Sequence, residues 1–358
     1  TRYKLDDFKP YLFKTLDYGK TWQKIVAGIN EKHFTRVIRA DKKRKGLLYA
    51  GTESGVYVSF NDGKAWLPFQ MNLPVVPITD LAVKNDDLVV ATQGRSFWIL
   101  DDLTLLHQCD ERELKNDVVL FQPRPTYKMR SGKGRISTQN GQNPDSGVKV
   151  SFYLKDQPEK DQTVTLTFAD SSGTPIKVFS SKKTSKNLAS GLPKPENPLD
   201  KKNTRLEVKQ GLNTFLWNMR YPDAATFPGL VLWAGGTNGP AAIPGDYRVI
   251  LDVGSKRLQA EFQIIKDPRS SATESDFREQ FEFLLKLRDK LSQTHLAIKK
   301  IRLTRKQIQE LVGRIRKQGR LDEKWQKSCQ PIFDAADALT QRITAIEEKL
   351  YQTKNQSP

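Results

Sequence analysis

The chain has 358 residues, enough for two or three domains and too many for one of ordinary size. With 37% hydrophobic residues it has the means to build cores, and no stretch approaches the ~20 apolar residues of a membrane span, so it reads as neither a disordered tail nor a membrane helix. Lys and Arg outnumber Asp and Glu 59 to 41, a formal net charge of +18 that attracts polyanions, yet the basic residues are spread along the chain and follow no nucleic-acid motif; a lysine-rich solvated surface is the preferred reading over nucleic-acid binding. The chain opens at Thr1 inside sequence that already reads as structured, with no secretory signal pattern, which points to a piece of a longer or processed protein.

Residues 11–105 carry a repeat. Thr15-Leu-Asp-Tyr-Gly-Lys-Thr-Trp22 is matched by Ser59-Phe-Asn-Asp-Gly-Lys-Ala-Trp66. The two tryptophans are separated by the length of one four-stranded propeller blade. Short strands are predicted at Arg36–Arg39, Gly46–Gly51, Gly55–Phe60 and within Leu88–Leu100, each bounded by turn residues. The motif has a physical logic. Asp17 and Asn61 accept backbone N–H groups across a tight turn, and Gly19 and Gly63 supply positive φ. Trp22 and Trp66 are expected to fold back and bury their rings. The acidic residue is then a staple, with no role as a catalytic acid.

Ser-x-Asp-x-Gly-x-Thr-Trp is the Asp-box, or BNR repeat, and Asp17, Gly19, Thr21, Trp22, Ser59, Asn61, Gly63 and Trp66 are the positions that match it. Thr15 and Asn61 depart from the commonest residues, and Ala65 replaces Thr. With Gly51–Phe60 before the second box and Leu88–Leu100 after it, the chain resembles the C-terminal part of large exported bacterial proteins with sortilin-like β-propellers, often labelled glycosyl hydrolase BNR repeat proteins. The resemblance implies a secreted, periplasmic or cell-surface location. It also implies that 1–105 are terminal blades. Two or three blades cannot close a propeller, which needs about 4–8, so the remaining blades are expected on an upstream segment or another chain.

Residues 106–146 are punctuated by Pro and Gly and read as a basic linker. Over 147–267, alternation at Val148–Leu154 and Val164–Phe168, and strands at Ile176–Phe179, Gly211–Trp217, Pro244–Leu251 and Leu258–Ile265, predict a β-sandwich. Its Gly-Leu-Asn…Trp and Pro-Gly-Asp-Tyr strands resemble fibronectin-type-III-like modules. Ser180–Lys202 reads as an exposed loop, and Tyr221–Pro240 as a long aromatic, glycine-rich one. Residues 273–351 carry apolar positions at helical spacing behind Thr273-Glu-Ser-Asp276 and predict an antiparallel helical hairpin or bundle of two or three helices, broken at Gly319. The expected fold is therefore mainly β with a helical tail.

Chemistry is sparse. Cys109 and Cys329 are far apart and make either one disulfide or two free thiols; no Cys or His spacing suits a metal, and no cofactor motif is present. Asp80, Asp86, Asp87, Asp101 and Asp102 read as turn residues. The arginine cluster, tyrosine nucleophile and acid of sialidases map onto no set of residues here. Tyr221, Phe227 and Trp233 are candidates for a carbohydrate or peptide platform, set against a loop packed on its own sandwich. Lys299, Arg302, Arg314, Arg316, Lys317 and Arg320 are candidates for contact with a polyanion or acidic partner, set against a solvated helix face. The expected function is binding and scaffolding: a non-catalytic part of an exported propeller protein that engages protein, peptide or glycan. The alternative is the C-terminal portion of a glycosidase- or peptidase-like hydrolase whose active site lies in upstream blades.

Overall fold

The computed structural model describes residues 1–110, 113–129, 141, 143–159, 161–182, 205–232, 235–318 and 323–352. The protein is mainly β with a C-terminal helical region, divided into two compact units: Thr1–Arg124 with Gly132–Asp145, and Pro125–Ser131 with Ser146–Pro358.

In the first unit, β1 (Phe13–Lys14) pairs with β2 (Gln23–Lys24). Strands β3 (Thr35–Ala40), β4 (Leu48–Thr52), β5 (Gly55–Ser59) and β6 (Leu67–Pro68) form an antiparallel sheet in chain order, and β7 (Ile78–Lys84), β8 (Asp87–Thr92) and β9 (Phe97–Leu100) form another. Every residue of β4 and β5 is buried. The reason is period-two alternation with both faces covered. Leu47, Tyr49, Val56 and Val58 pack with Ile78, Leu81, Leu88 and Val90, whereas Leu48, Ala50 and Tyr57 pack with Leu12, Ile25, Ile29 and Trp66. The β7–β8 hairpin turns on Asn85 and Asp86, both at positive φ, the two-residue loop whose twist matches that of the strands.

The first unit runs past the residue-105 boundary expected from sequence. Helix α1 (Thr104–Gln108) is followed by β10 (Val118–Leu120), and Gln108 and Gln122 exchange two hydrogen bonds at 2.8 and 2.9 Å. Arg124 then pairs with Asp87 at 2.7 Å. The start of the expected linker is thus tied to the first unit by these bonds. Ser180–Lys202 lies outside the described residues beyond Lys182.

In the second unit, β12 (Val148–Leu154) runs antiparallel to β15 (Gly211–Trp217) in unbroken register. A five-stranded sheet has the order β11 (Thr126–Lys128), β17 (Lys256–Lys266), β16 (Gly245–Val253), β13 (Val164–Asp170), β14 (Pro175–Ser180), with β11 parallel to β17. Side chains of the two sheets meet. Phe168 stacks on Trp217 at 4.5 Å, Phe262 meets Trp217 edge-on, and Phe179 meets Phe215 at 4.4 Å. Such pairs add about 0.5–1.5 kcal/mol each beyond burial. Asn213 explains why β15 opens on Gly-Leu-Asn: its side chain accepts from Lys209 N at 2.8 Å and donates to Lys209 O and Gly211 O, closing the turn before the strand.

Two helices follow, α2 (Glu274–Gln318) and α3 (Glu323–Leu350). Thr273 and Asp276 cap the first reciprocally: Asp276 N donates to Thr273 Oγ1 at 3.2 Å, and Thr273 N donates to Asp276 Oδ2 at 2.8 Å. The break expected at Gly319 lies outside the described residues. No helix among the described residues is long and apolar enough to cross a membrane.

Candidate interaction site

The two eight-residue repeats fold into the same turn. Gly19 N donates to Thr15 Oγ1 at 2.8 Å, and Gly63 N donates to Ser59 Oγ at 3.0 Å. Tyr18-Gly19 and Asp62-Gly63 both sit at positive φ, where glycine carries no steric cost at the second position. The staples differ in a matched way. Asp17 takes the Thr21 N–H at 2.8 Å on one oxygen and the Thr21 hydroxyl at 2.6 Å on the other. Asn61 has one side-chain oxygen, and Ala65 offers it only a backbone N–H, at 2.9 Å. A hydroxyl donates to each staple as well, Thr15 Oγ1 to Asp17 Oδ1 at 2.9 Å and Ser59 Oγ to Asn61 Oδ1 at 3.0 Å, so the turns differ by the one donor that the Thr21 hydroxyl adds. The Thr21 hydroxyl and N–H hold the Asp17 carboxyl down at about 2.

The tryptophans do not share one fate. Trp66 is 2% exposed; its Nε1 donates to Ile25 O at 2.8 Å, and its backbone N donates to Ala27 O at 2.8 Å. The neighbouring segment comes so close that a Cβ on Gly28 would lie 2.2 Å from Trp66 O. Trp22 folds onto its own turn, donating to Gly19 O at 3.1 Å, but stays 61% exposed beside exposed Phe13, Leu16 and Tyr18. The expectation that both rings are buried holds for Trp66 alone, because among the described residues Trp22 has no counterpart of the Ile25–Ile29 segment against it.

The aromatic loop packs on the helices. Phe227 is 4% exposed, with its ring 5.2 Å from His295 and 5.1 Å from Tyr351 and the Arg302 guanidinium 4.7 Å above it. Tyr221 meets Phe281 at 4.8 Å. Ala225 N donates to Ser292 Oγ, Val231 N to Tyr351 Oη, and the Arg288 guanidinium to Pro222 O. These contacts occupy the two rings expected in a ligand platform with side chains of the same chain; Trp233 lies outside the described residues.

The basic cluster is likewise divided. Arg302 Nε donates to Glu347 Oε1 at 2.6 Å and its Nη1 to Pro228 O at 2.8 Å, and Arg305 donates to Glu347 Oε2 at 2.8 Å and Thr344 Oγ1 at 3.0 Å. Glu347 is 1% exposed, so these two guanidiniums supply the charge its burial demands. Arg316 lies 4.9 Å over the Phe333 ring. Arg314 and Lys317 are exposed, Lys299 is half-buried, and Arg320 lies outside the described residues.

The chain matches no protein-family model and no curated protein sequence.

The carboxylates of the first unit serve as ties. Asp80 pairs with Arg39 at 2.5 Å and Asp86 with Lys43 at 2.7 Å, while Asp102 accepts from Thr104 N ahead of α1. The most enclosed is Asp41, which sequence reasoning passed over. It accepts from Lys43 N, Arg44 N and the Tyr49 hydroxyl, and meets His107 Nε2 at 3.0 Å. Burial pushes its carboxyl up, but those N–H donors and His107 outweigh burial and hold it below the usual range. Burial raises the Tyr49 hydroxyl, with the Asp41 charge adding to it. Both cysteines are free thiols, and burial pushes the Cys109 thiol up, away from nucleophilic use. Among the described residues no three His, Cys, Asp or Glu side chains gather as a metal site. Glu347 carried no sequence signal, because Arg302 and Arg305 are remote in the chain; the Asp41 turn with Lys43 and Arg44 is local, and only its enclosure beside His107 depends on a remote residue.

Proposed function

We propose that this chain is a binding and scaffolding part of a larger exported Asp-box propeller, its two repeats being terminal blades and its second unit an appended fibronectin-type-III-like sandwich with a helical hairpin. One observation carries the reading: two turns of the same form, each closed by a glycine N–H on a hydroxyl four residues back, hold tryptophans in opposite environments, Trp66 enclosed by the preceding repeat and Trp22 exposed. Repeating the arrangement one period back calls for an equivalent segment against Trp22. A further blade, on upstream sequence or on another chain, supplies it, and the completed propeller presents a protein, peptide or glycan ligand with its face. The carboxylates paired with Arg39, Lys43 and Arg124 support a structural role over a hydrolytic one, since each is committed to a cation.

Completing a blade face buries apolar surface, so the assembly resists salt, unlike one held by exposed charge. Size-exclusion chromatography with light scattering on the native protein is expected to give the same mass at low salt and at roughly 0.5 M salt, where the Debye length is well under 10 Å. Dissociation at high salt contradicts the proposal.

A further inference from the structure

The helical hairpin has one apolar side that stays open among the described residues. Three contacts fix its register: Arg302 with Glu347, Arg305 with Thr344, and Arg316 over Phe333. Each step along α2 is matched by an equal step back along α3. The residue before a facing position is turned about 100° around its helix. On α3 those residues are Ile332 and Ile346, with Leu339 one heptad from each; on α2 they are Ile301 and Ile315, with Ile308 one heptad from each. Because both helices are right-handed and run antiparallel, one step back turns both rows to the same side. The two rows therefore line a single groove.

The groove is open. Ile332, Leu339 and Ile346 are 43–51% exposed, as is Leu311 beside the α2 row, while Ile301, Ile308 and Ile315 are half-buried. A row that repeats every seven residues over three turns or more is the seam a further helix fills. Ala335, Ala338 and Ala345 lie along its α3 edge and allow close approach. The charge pattern selects the occupant. The exposed charged residues flanking this side are Arg342 and Lys349 on α3 and Lys300 and Arg314 on α2. Glu310 of α2 and Asp337 and Glu348 of α3 fall on faces turned away by the same helical geometry, and Asp334 lies about as far from its row as Arg314 does from the α2 row, so the pair offset each other and Arg342, Lys349 and Lys300 leave the flanks basic. Two copies docked through this side would set like charges together, which disfavours self-association.

We propose that this groove binds a partner's amphipathic α-helix whose apolar stripe is flanked by Asp and Glu. The span from Ile301 to Ile315 is roughly 21 Å at 1.5 Å per residue, so about four turns of partner helix are engaged. The inference concerns the second unit alone and stands apart from the blade reading.

The probe is a pair of labelled designed peptides of about 21 residues, identical in their Leu a and d positions, one carrying Glu and the other Lys at e and g. Their binding to the full chain is followed by fluorescence anisotropy. The Glu peptide is expected to bind at least ~10-fold tighter. Leu339→Glu is expected to abolish binding with circular dichroism unchanged. Arg342→Glu with Lys349→Glu, both at exposed positions, is expected to reverse the preference between peptides. Equal affinity for both peptides, binding by neither, or binding that survives Leu339→Glu overturns the proposal. So does concentration-dependent dimerisation, or binding to anionic phosphatidylserine vesicles, that Leu339→Glu removes.

Discussion

At the scale of single residues, the two turns are a controlled comparison within one chain. Asp17 with Thr21 and Asn61 with Ala65 solve the same closure with different numbers of donors and acceptors. Because Thr21 holds the Asp17 carboxyl down at about 2, the turn keeps its closure above the ordinary carboxylate range and loses it only as pH falls toward 2. An NMR titration of Asp17 is expected to show that depressed midpoint, and Thr21→Ala to raise it toward 3.8. The tryptophans separate more sharply. Trp66→Ala is expected to lower the unfolding free energy of the first unit by about 3–5 kcal/mol, the range for truncating a buried aromatic. Trp22→Ala is expected to stay within about 0.5 kcal/mol, as for surface positions, when denaturation is measured on this chain alone. The repeat and its turn chemistry were legible in the sequence, since Gly, Asp and Trp at fixed offsets are local. The difference between the two rings was not, because it depends on what packs against each turn.

At the scale of elements, legibility follows periodicity. Strands β12 and β13 alternate at their starts because opposite faces meet different surroundings, β16 buries Val249, Ile250 and Leu251 in succession, and the α2 and α3 patterns keep helical spacing. What stayed hidden is the junction between loop and helices. Glu347 and Glu348 are adjacent and chemically identical, yet one is buried between two arginines and the other is exposed. Nothing local distinguishes them, because Arg302 and Arg305 lie 45 and 42 residues away. Glu347→Ala leaves two guanidiniums without their anion, and since both reach solvent the cost is expected near the lower end of the ~3–5 kcal/mol typical of broken buried pairs. Hydrogen exchange is the discriminating readout. Protection is expected to fall in α3 and in the Pro222–Val231 loop together, because Arg302 bonds both Glu347 and Pro228; loss confined to α3 would contradict that coupling.

At the scale of the molecule, the net charge of +18 is spread over surfaces whose arginines largely hold structure, so charge alone is a poor guide to partners. The mainly β character with a helical tail was readable from composition and pattern. The ligand of the proposed propeller was not, since the binding face of such a fold is assembled from several blades and no single repeat encodes it. In the proposed assembly a further blade covers Trp22. Hydroxyl-radical footprinting with mass spectrometry, comparing this chain alone with the native protein or complex it belongs to, addresses that claim directly. Trp66 is expected to be protected in both, and Trp22 to be oxidised in the isolated chain and protected in the native assembly. Equal oxidation of Trp22 in the two states would contradict it.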